Sequence, residues 1–272
     1  MNKRLLKAFV RFDGSGRIVA GSLILRKKMP TVGKWKEIVA NECCNSTTPL
    51  YPGICTTLGD AAAFALLGAS TITNTGSSVV TGNLALYPGS SVVGFPPGVL
   101  HGTEYVASGI AAAAQSSAQA AYDCLGALRP DSTLGADIGG TTVTAGIYTF
   151  ASTAAITGNL ILDGGGNSNA VFVFIVPAAM TTASSSNVTL INSAQAGNVY
   201  WIVGTSATLG TTSHMVGNII ANASITLNTG ATLTGRALAL TAAVTLDSNT
   251  ISTVACSINP CPTTTTTTTT LG

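Results

Sequence analysis

The sequence predicts a mainly β fold: a three-sided discontinuous β-solenoid with one long α-helix packed along one face, preceded by a small N-terminal β unit. Three observations carry that expectation. A short phrase recurs late in the chain, as Ser206-Ala-Thr-Leu-Gly, Ser224-Ile-Thr-Leu-Asn and Ala243-Val-Thr-Leu-Asp, with starts 18 and 19 residues apart. That period suits one turn of a β-solenoid and is too short for most helical repeats. Each phrase also alternates, so that Ser206, Thr208, Ser224, Thr226, Ala243 and Thr245 point one way while Leu209, Ile225, Leu227, Val244 and Leu246 point the other. Finally, 8% of the 272 residues are charged, 46% are apolar and 30 are glycine, a composition for short strands with tight corners.

Charge divides the chain into two pieces. Ten of the 12 basic residues and three acidic ones precede residue 58, giving about +7, while the remainder carries about −5. Residues 1–44 read as a small basic β module, with strand-like Ala8 to Phe12, Arg17 to Ala20 and Ser22 to Leu25 and a turn at Asp13-Gly-Ser-Gly. Its basic residues lack interleaved aromatics, so a nucleic-acid partner is not expected. The first residues supply a basic start, but Lys7 and Arg11 interrupt the apolar run that a signal peptide needs. Residues 45–57 read as a linker, and the cysteine-, proline- and threonine-rich residues 255–272, with eight consecutive threonines, as a low-complexity tail.

The main domain, residues 58–254, opens with short strands at Phe64 to Leu67, Thr71 to Thr73, Val79 to Thr81, Leu84 to Tyr87 and Ser91 to Val93. Thr103 then caps an alanine-dense helix expected over about 104–128 and stopped by Pro130. Tyr105, Val106, Ile110, Ala113, Ala114, Ala121, Tyr122 and Leu125 form its apolar stripe. From residue 141 strands return in three beats. The first is apolar on both sides (Ile147 to Phe150, Val171 to Val176, Val199 to Val203, Ile219 to Ala221, Ala237 to Ala239), as a strand covered on both faces must be, and the helix is the available cover. The second carries the threonine ladder, and the third (Leu160 to Leu162, Val188 to Leu190, His214 to Val216, Ala231 to Thr234, Thr250 to Ser252) is mixed. No apolar run is long enough to span a bilayer.

Five stretches stand out between Leu58 and about Val254: Leu58-Gly-Asp-Ala, Gly139-Gly-Thr-Thr-Val-Thr-Ala-Gly-Ile-Tyr, Asn169-Ala-Val-Phe-Val-Phe, Asn198-Val-Tyr-Trp-Ile-Val-Gly-Thr-Ser-Ala-Thr-Leu-Gly-Thr and the run from Ser224 to Ala239. In these residues the chain resembles the microbial ice-binding protein family with a discontinuous β-solenoid and flanking helix. The resemblance implies that the first coils stack on the last ones and that the flat second face binds ice. The family's ice-site phrase, Thr, then Ala or Gly, any residue, then Thr or Asn, is met most nearly by Thr205-Ser-Ala-Thr208. Ala178-Ala-Met-Thr181, Ala223-Ser-Ile-Thr226 and Ala242-Ala-Val-Thr245 keep only its last Thr.

The candidate binding residues are therefore Thr157, Ala179, Thr181, Thr205, Ser206, Thr208, Ser224, Thr226, Ala243 and Thr245. Rungs about 4.8 Å apart and alternate residues about 6.7 Å apart make a two-dimensional grid. A β-branched Thr fixes a methyl and a hydroxyl at each grid point. The expected partner is an ice surface, with another module or particle surface available to residues 1–57 and no membrane insertion. The alternative on the same scaffold is a surface adhesion or display module without ice activity; either use places the chain outside the cell or on a surface.

Catalysis is not expected, because Asp60, Asp123, Asp131, Asp137, Asp163 and Asp247 are scattered and His101 and His214 lack Ser or Cys partners. No cofactor or metal is expected: the six cysteines show no CxxC spacing. Five of them flank the domain joints and are open to disulfide pairing, whereas Cys124 reads as a small buried apolar residue of the helix. Arg236 reads as structural, bonded to local carbonyls or to Asp247.

Overall fold

The computed structural model describes residues 26–28, 35–37 and 58–253. The chain divides into two units, Met1–Cys43 and Cys44–Gly272. In the first, Arg26–Lys28 pairs antiparallel with Trp35–Glu37. The strands expected between residues 8 and 25, the linker and the tail lie outside the described residues.

The second unit is the expected three-walled tube. Its chain enters by a short 3-10 helix, Gly59–Ala63, and winds Phe64–Gly68 on wall one, Thr71–Thr75 on wall two and Val79–Thr81 on wall three. A second rung follows as Asn83–Leu86, Ser91–Val93 and Val99–His101, and Glu104–Val106 begins a third. The helix Gly109–Gly126 then carries the chain back to the far end of the tube. From there, rungs are laid down from Ser132–Leu134 to Thr250–Ser252, each in parallel register on the one before. The last rung finally meets the first: Ala237 pairs with Leu66, Val244 with Ile72 and Ile251 with Val80. We call this junction the seam.

Wall two is a seven-stranded sheet of its own. Walls one and three belong to one sheet because strands His214–Ala221 and Thr232–Ala239 run through the corner between them. They bend at Gly217 (φ 110°) and Gly235 (φ 153°). A Cβ on Gly235 would lie 1.9 Å from the Gly217 carbonyl oxygen, so only glycines let successive rungs stack at this corner.

In its middle rungs, such as Phe172–Val176, Val199–Val203 and Phe64–Gly68, wall one is buried on both sides as its sequence requires, whereas Gly146–Phe150 nearer the end is only half-buried. Inward, Tyr148, Phe174, Trp201, Ile219 and Ala237 stand in one file by register, with Phe174 and Trp201 stacked 4.1 Å apart at 11°. Outward, Val173, Tyr200, Ile202, Ile220, Leu238 and Leu67 pack under the helix. The helix face that meets them is Ala111, Ala114, Ala118, Ala121 and Leu125, small residues at helical spacing that let the backbones approach closely.

The helix departs from expectation in three ways. It begins at Gly109, not near Glu104: Glu104–Val106 adds to Asn83–Leu86 as an edge strand, and the Thr103 amide donates to the Asn83 side chain instead of capping. The cap is Ser108, whose hydroxyl accepts from the Ala111 amide at 3.2 Å. The stripe is also rotated. Ile110 is 54% exposed and Ala113 is exposed, since alanines and not larger residues face the sheet. Cys124, last, is half-exposed and disulfide-bonded, not a free buried thiol. The other five cysteines lie outside the described residues.

Candidate functional site

Three-residue strands on wall two leave one central residue facing out, flanked by inward ones. The inward residues Ala154, Met180, Ala207, Ile225, Val244 and Ile72 are fully buried or nearly so and anchor each rung in the core. The outward centres then line up by register as Ala155, Thr181, Thr208, Thr226, Thr245, Thr73 and Val93. A second file runs beside it. Ala179, Ser206, Ser224 and Ala243 sit just before their strands, and their carbonyls accept from the amides of Ala154, Met180, Ala207 and Ile225 in turn. Thr71 and Ser91, paired across the next rungs, continue that line.

Hydrogen bonding separates this wall from its neighbour. Among the described residues, the hydroxyls of Thr181, Thr208 and Thr226 make no hydrogen bond; the Thr73 hydroxyl reaches Thr245 at 3.4 Å and the Ser224 hydroxyl reaches Ser206 at 3.0 Å. On wall three the polar groups bond one another: His214 Nδ1 with the Thr232 hydroxyl at 2.8 Å, Thr189 to Asn159 at 2.8 Å, and Asn187 to Thr189 at 3.0 Å. Wall two thus presents methyls and hydroxyls with open bonding capacity, on a sheet fixed from behind. Its charged residues among those described stand at its margins: Asp247 is held by Thr229 and Ser248, and Asp137, bridged to Ala155 at the end of the outward file, accepts from the Gly139 and Thr157 amides.

A family profile described as Ice-binding-like matches residues 66–252. The chain belongs to the ice-binding-like family. The ice-binding protein of Nostoc sp. (strain HG1) is 47% identical over 205 residues, covering 75% of this chain and 76% of that protein. Solved structures agree. That of the ice-binding protein from the Antarctic ascomycete Antarctomyces psychrotrophicus has 40% identity and a TM-score of 0.70 over 72% of this chain and 97% of its own. An ice binding protein from an Antarctic biological consortium gives 40% identity and 0.72, over 76% and 96%.

Within this ice-binding-like domain the structure brings together Ala179, Thr181, Ser206, Thr208, Ser224, Thr226, Ala243 and Thr245. It sets two expected residues apart. Thr157 lies one residue beyond Ala154–Ile156, where its amide donates to Asp137 at 3.0 Å and its hydroxyl bonds the same carboxylate; Ala155 is the residue in line with Thr181. Thr205 precedes the strand Ala207–Leu209 in the corner, its amide donating to Ala178 and its carbonyl accepting from Ala223.

Sequence reasoning does not foresee that Thr71, Thr73, Ser91 and Val93, on the far side of the seam, continue these two files. A local signal exists, since Thr71-Ile-Thr-Asn repeats Ser224-Ile-Thr-Leu except at its first and last positions, and Ser and Thr are alike in bearing a hydroxyl. At the last position Asn74 points inward and donates to the Gly76 and Gly94 carbonyls, at 2.9 and 2.8 Å, where the rungs next to it in register place Leu246, Leu227 and Leu209.

The carboxylates serve turns. Asp137 accepts from the Gly139 amide at 2.9 Å as well as from Thr157, bonds that hold its pKa below the ordinary 3.8. Asp163 accepts from the Gly165 amide and Asn192, each at 2.8 Å, and is likewise lowered. Asp131 accepts from the Ile147 amide at 2.8 Å. Among the described residues no three of His, Cys, Asp and Glu gather where a metal ion could be held.

Proposed function

We propose that this chain binds ice by laying wall two on the crystal through an ordered water layer, and so restrains ice growth and recrystallisation. The observation that carries the reading is the register-aligned file of threonines, of which Thr181, Thr208 and Thr226 have hydroxyls that bond nothing else among the described residues. Stiff β-branched side chains hold their methyls at repeating positions, and water seated between the methyls is anchored by the hydroxyls and by backbone groups. Such a layer resembles a lattice plane and merges with it. Each contact is weak, so flatness over several rungs is required for the sum to hold. Adsorbed molecules force the crystal to advance as curved fronts, which slows growth without chemical turnover. The names of the matched relatives support the same activity.

The chain acts outside the cell or displayed on a surface, a placement supported by the disulfide at Cys124, since disulfides persist in oxidising compartments. The basic residues 1–57, about +7 in charge, serve attachment to another module or an acidic surface. The test is ice-crystal morphology in the presence of the full chain. Wild type shapes the crystals or slows their growth, and Thr226→Tyr abolishes this while circular dichroism and melting temperature stay close to wild type. Round, freely growing crystals at high wild-type concentration overturn the reading and favour an adhesion module on the same scaffold.

A further inference from the structure

We infer that the domain has a docking edge for its own threonine run: whatever wall two binds, residues 254–270 fold back over the open end of the tube, and Thr263 to Thr270 pair as an added edge strand with Val99–His101.

The two ends of the tube differ. Among the described residues five large apolar side chains are exposed, and four of them, Tyr87, Val93, Val99 and Ile110, fall within residues 87–110, the coil at one end and the start of the helix. They are 38–54% exposed. At the opposite end the exposed residues include Asp131, Asp137, Thr142 and Thr144, which suit water. An apolar rim round an unpaired sheet edge is an arrangement that associates with other chains unless something covers it.

The edge also offers backbone bonds. Ser91–Val93, Val99–His101 and Glu104–Val106 each pair with one strand only. On the second of these, the Val99 amide donates to the Ser78 carbonyl at 2.8 Å and the His101 carbonyl accepts from the Gly82 amide at 3.0 Å, both towards the preceding rung. Backbone groups alternate in direction along a strand, so the Leu100 amide and carbonyl face the place of a further strand.

Reach and composition select the occupant. Thr253 leaves the last coil with its amide bonded to the Thr81 carbonyl at 3.0 Å, and Thr81 stands in register with His101 on the edge strand. A strand added outside that edge lies three rung spacings from Thr253, about 14 Å. Residues 254–262 span about 30 Å when extended, which leaves length for a turn at Pro260 and Pro262. The eight threonines that follow are β-branched, uncharged and uninterrupted by proline or glycine, a composition that suits a pleated strand. Arriving at the His101 end, the run lies antiparallel to Val99–His101 and carries methyls over Val99. Residues 45–57, which lead into Leu58, contain Pro49 and Pro52 and offer no comparable run of donors.

The test is amide hydrogen exchange on the full chain, read by NMR, against a variant carrying Thr265→Pro, Thr266→Pro and Thr267→Pro, which removes donors in either strand phase. The Leu100 amide is expected to exchange about tenfold or more faster in the variant than in wild type, with the Trp201 amide in the core unchanged. The threonine amides of wild type are expected to exchange about tenfold or more slower than those of a free peptide of residues 254–272. Leu100 exchanging equally fast in both proteins overturns the inference. Leu100 protected equally in both also overturns it: light scattering at the mass of one chain then assigns the edge to residues 45–57, and at twice that mass to a second copy.

Discussion

Trp201 lies in the core of the tube with no exposure, stacked on Phe174, and its indole N–H donates to the Val216 carbonyl at 3.0 Å. Trp201→Ala opens a cavity and leaves that carbonyl without its donor, so urea unfolding should show a loss of about 3–5 kcal/mol. The carboxylates behave differently. Asp137 is depressed in the folded state by backbone and hydroxyl donors. Its contribution to stability is therefore present above the ordinary value of 3.8 and fades as pH falls through its lower folded pKa. Asp137→Asn keeps an acceptor for Gly139 but has no proton to take up, so its melting temperature should fall less steeply than wild type as the solution is acidified below that value. Sequence makes Trp201 legible as a strand residue but not as one of a stack, because its neighbour Phe174 is one coil away.

At the scale of elements, the helix and the strands are legible to different degrees for one reason. Strands announce themselves through alternation, which is local, and every second-beat phrase from Ala155 onward overlaps a wall-two strand. A helix stripe is chosen by the surface it meets. In this domain that surface is a sheet already crowded with Tyr200, Ile202, Ile220 and Leu238, so the fitting residues are alanines, and an expectation that ranks the larger Ile110 as core puts size ahead of spacing. Ala118→Leu, on the buried line, should therefore cost about 1–3 kcal/mol by overpacking. Ala120→Leu, exposed on the other side, should stay within about 0.5 kcal/mol, as thermal melts of the two variants will resolve.

For the whole molecule, stability turns on closing two distant stretches of chain onto each other. Period and alternation reveal how many coils follow the helix; they do not reveal where the earlier coils dock, because nothing within a window of one rung records a partner so far along the chain. That is why Thr73 is legible as a strand residue but not as the neighbour of Thr245. Arg236 is the clearest mark of the closure. It is 5% exposed, with its guanidinium directed to the Ala62 carbonyl and to Asn218, which itself donates to the Gly197 and Val199 carbonyls at 3.1 Å. Arg236→Met should lose about 1–3 kcal/mol for each acceptor left bare, and native-state proteolysis should find the first rungs, residues 64–106, opening before the rest.

The closure also fixes where the described domain begins and ends. Leu58 leads into wall one and Thr253 leaves wall three on neighbouring rungs, the Thr253 amide donating to Thr81 at 3.0 Å. Both ends of the described domain therefore emerge along the ridge of the prism that lies opposite wall two. A tether fastened at either of these ends would pull from behind and leave wall two turned away from the anchorage.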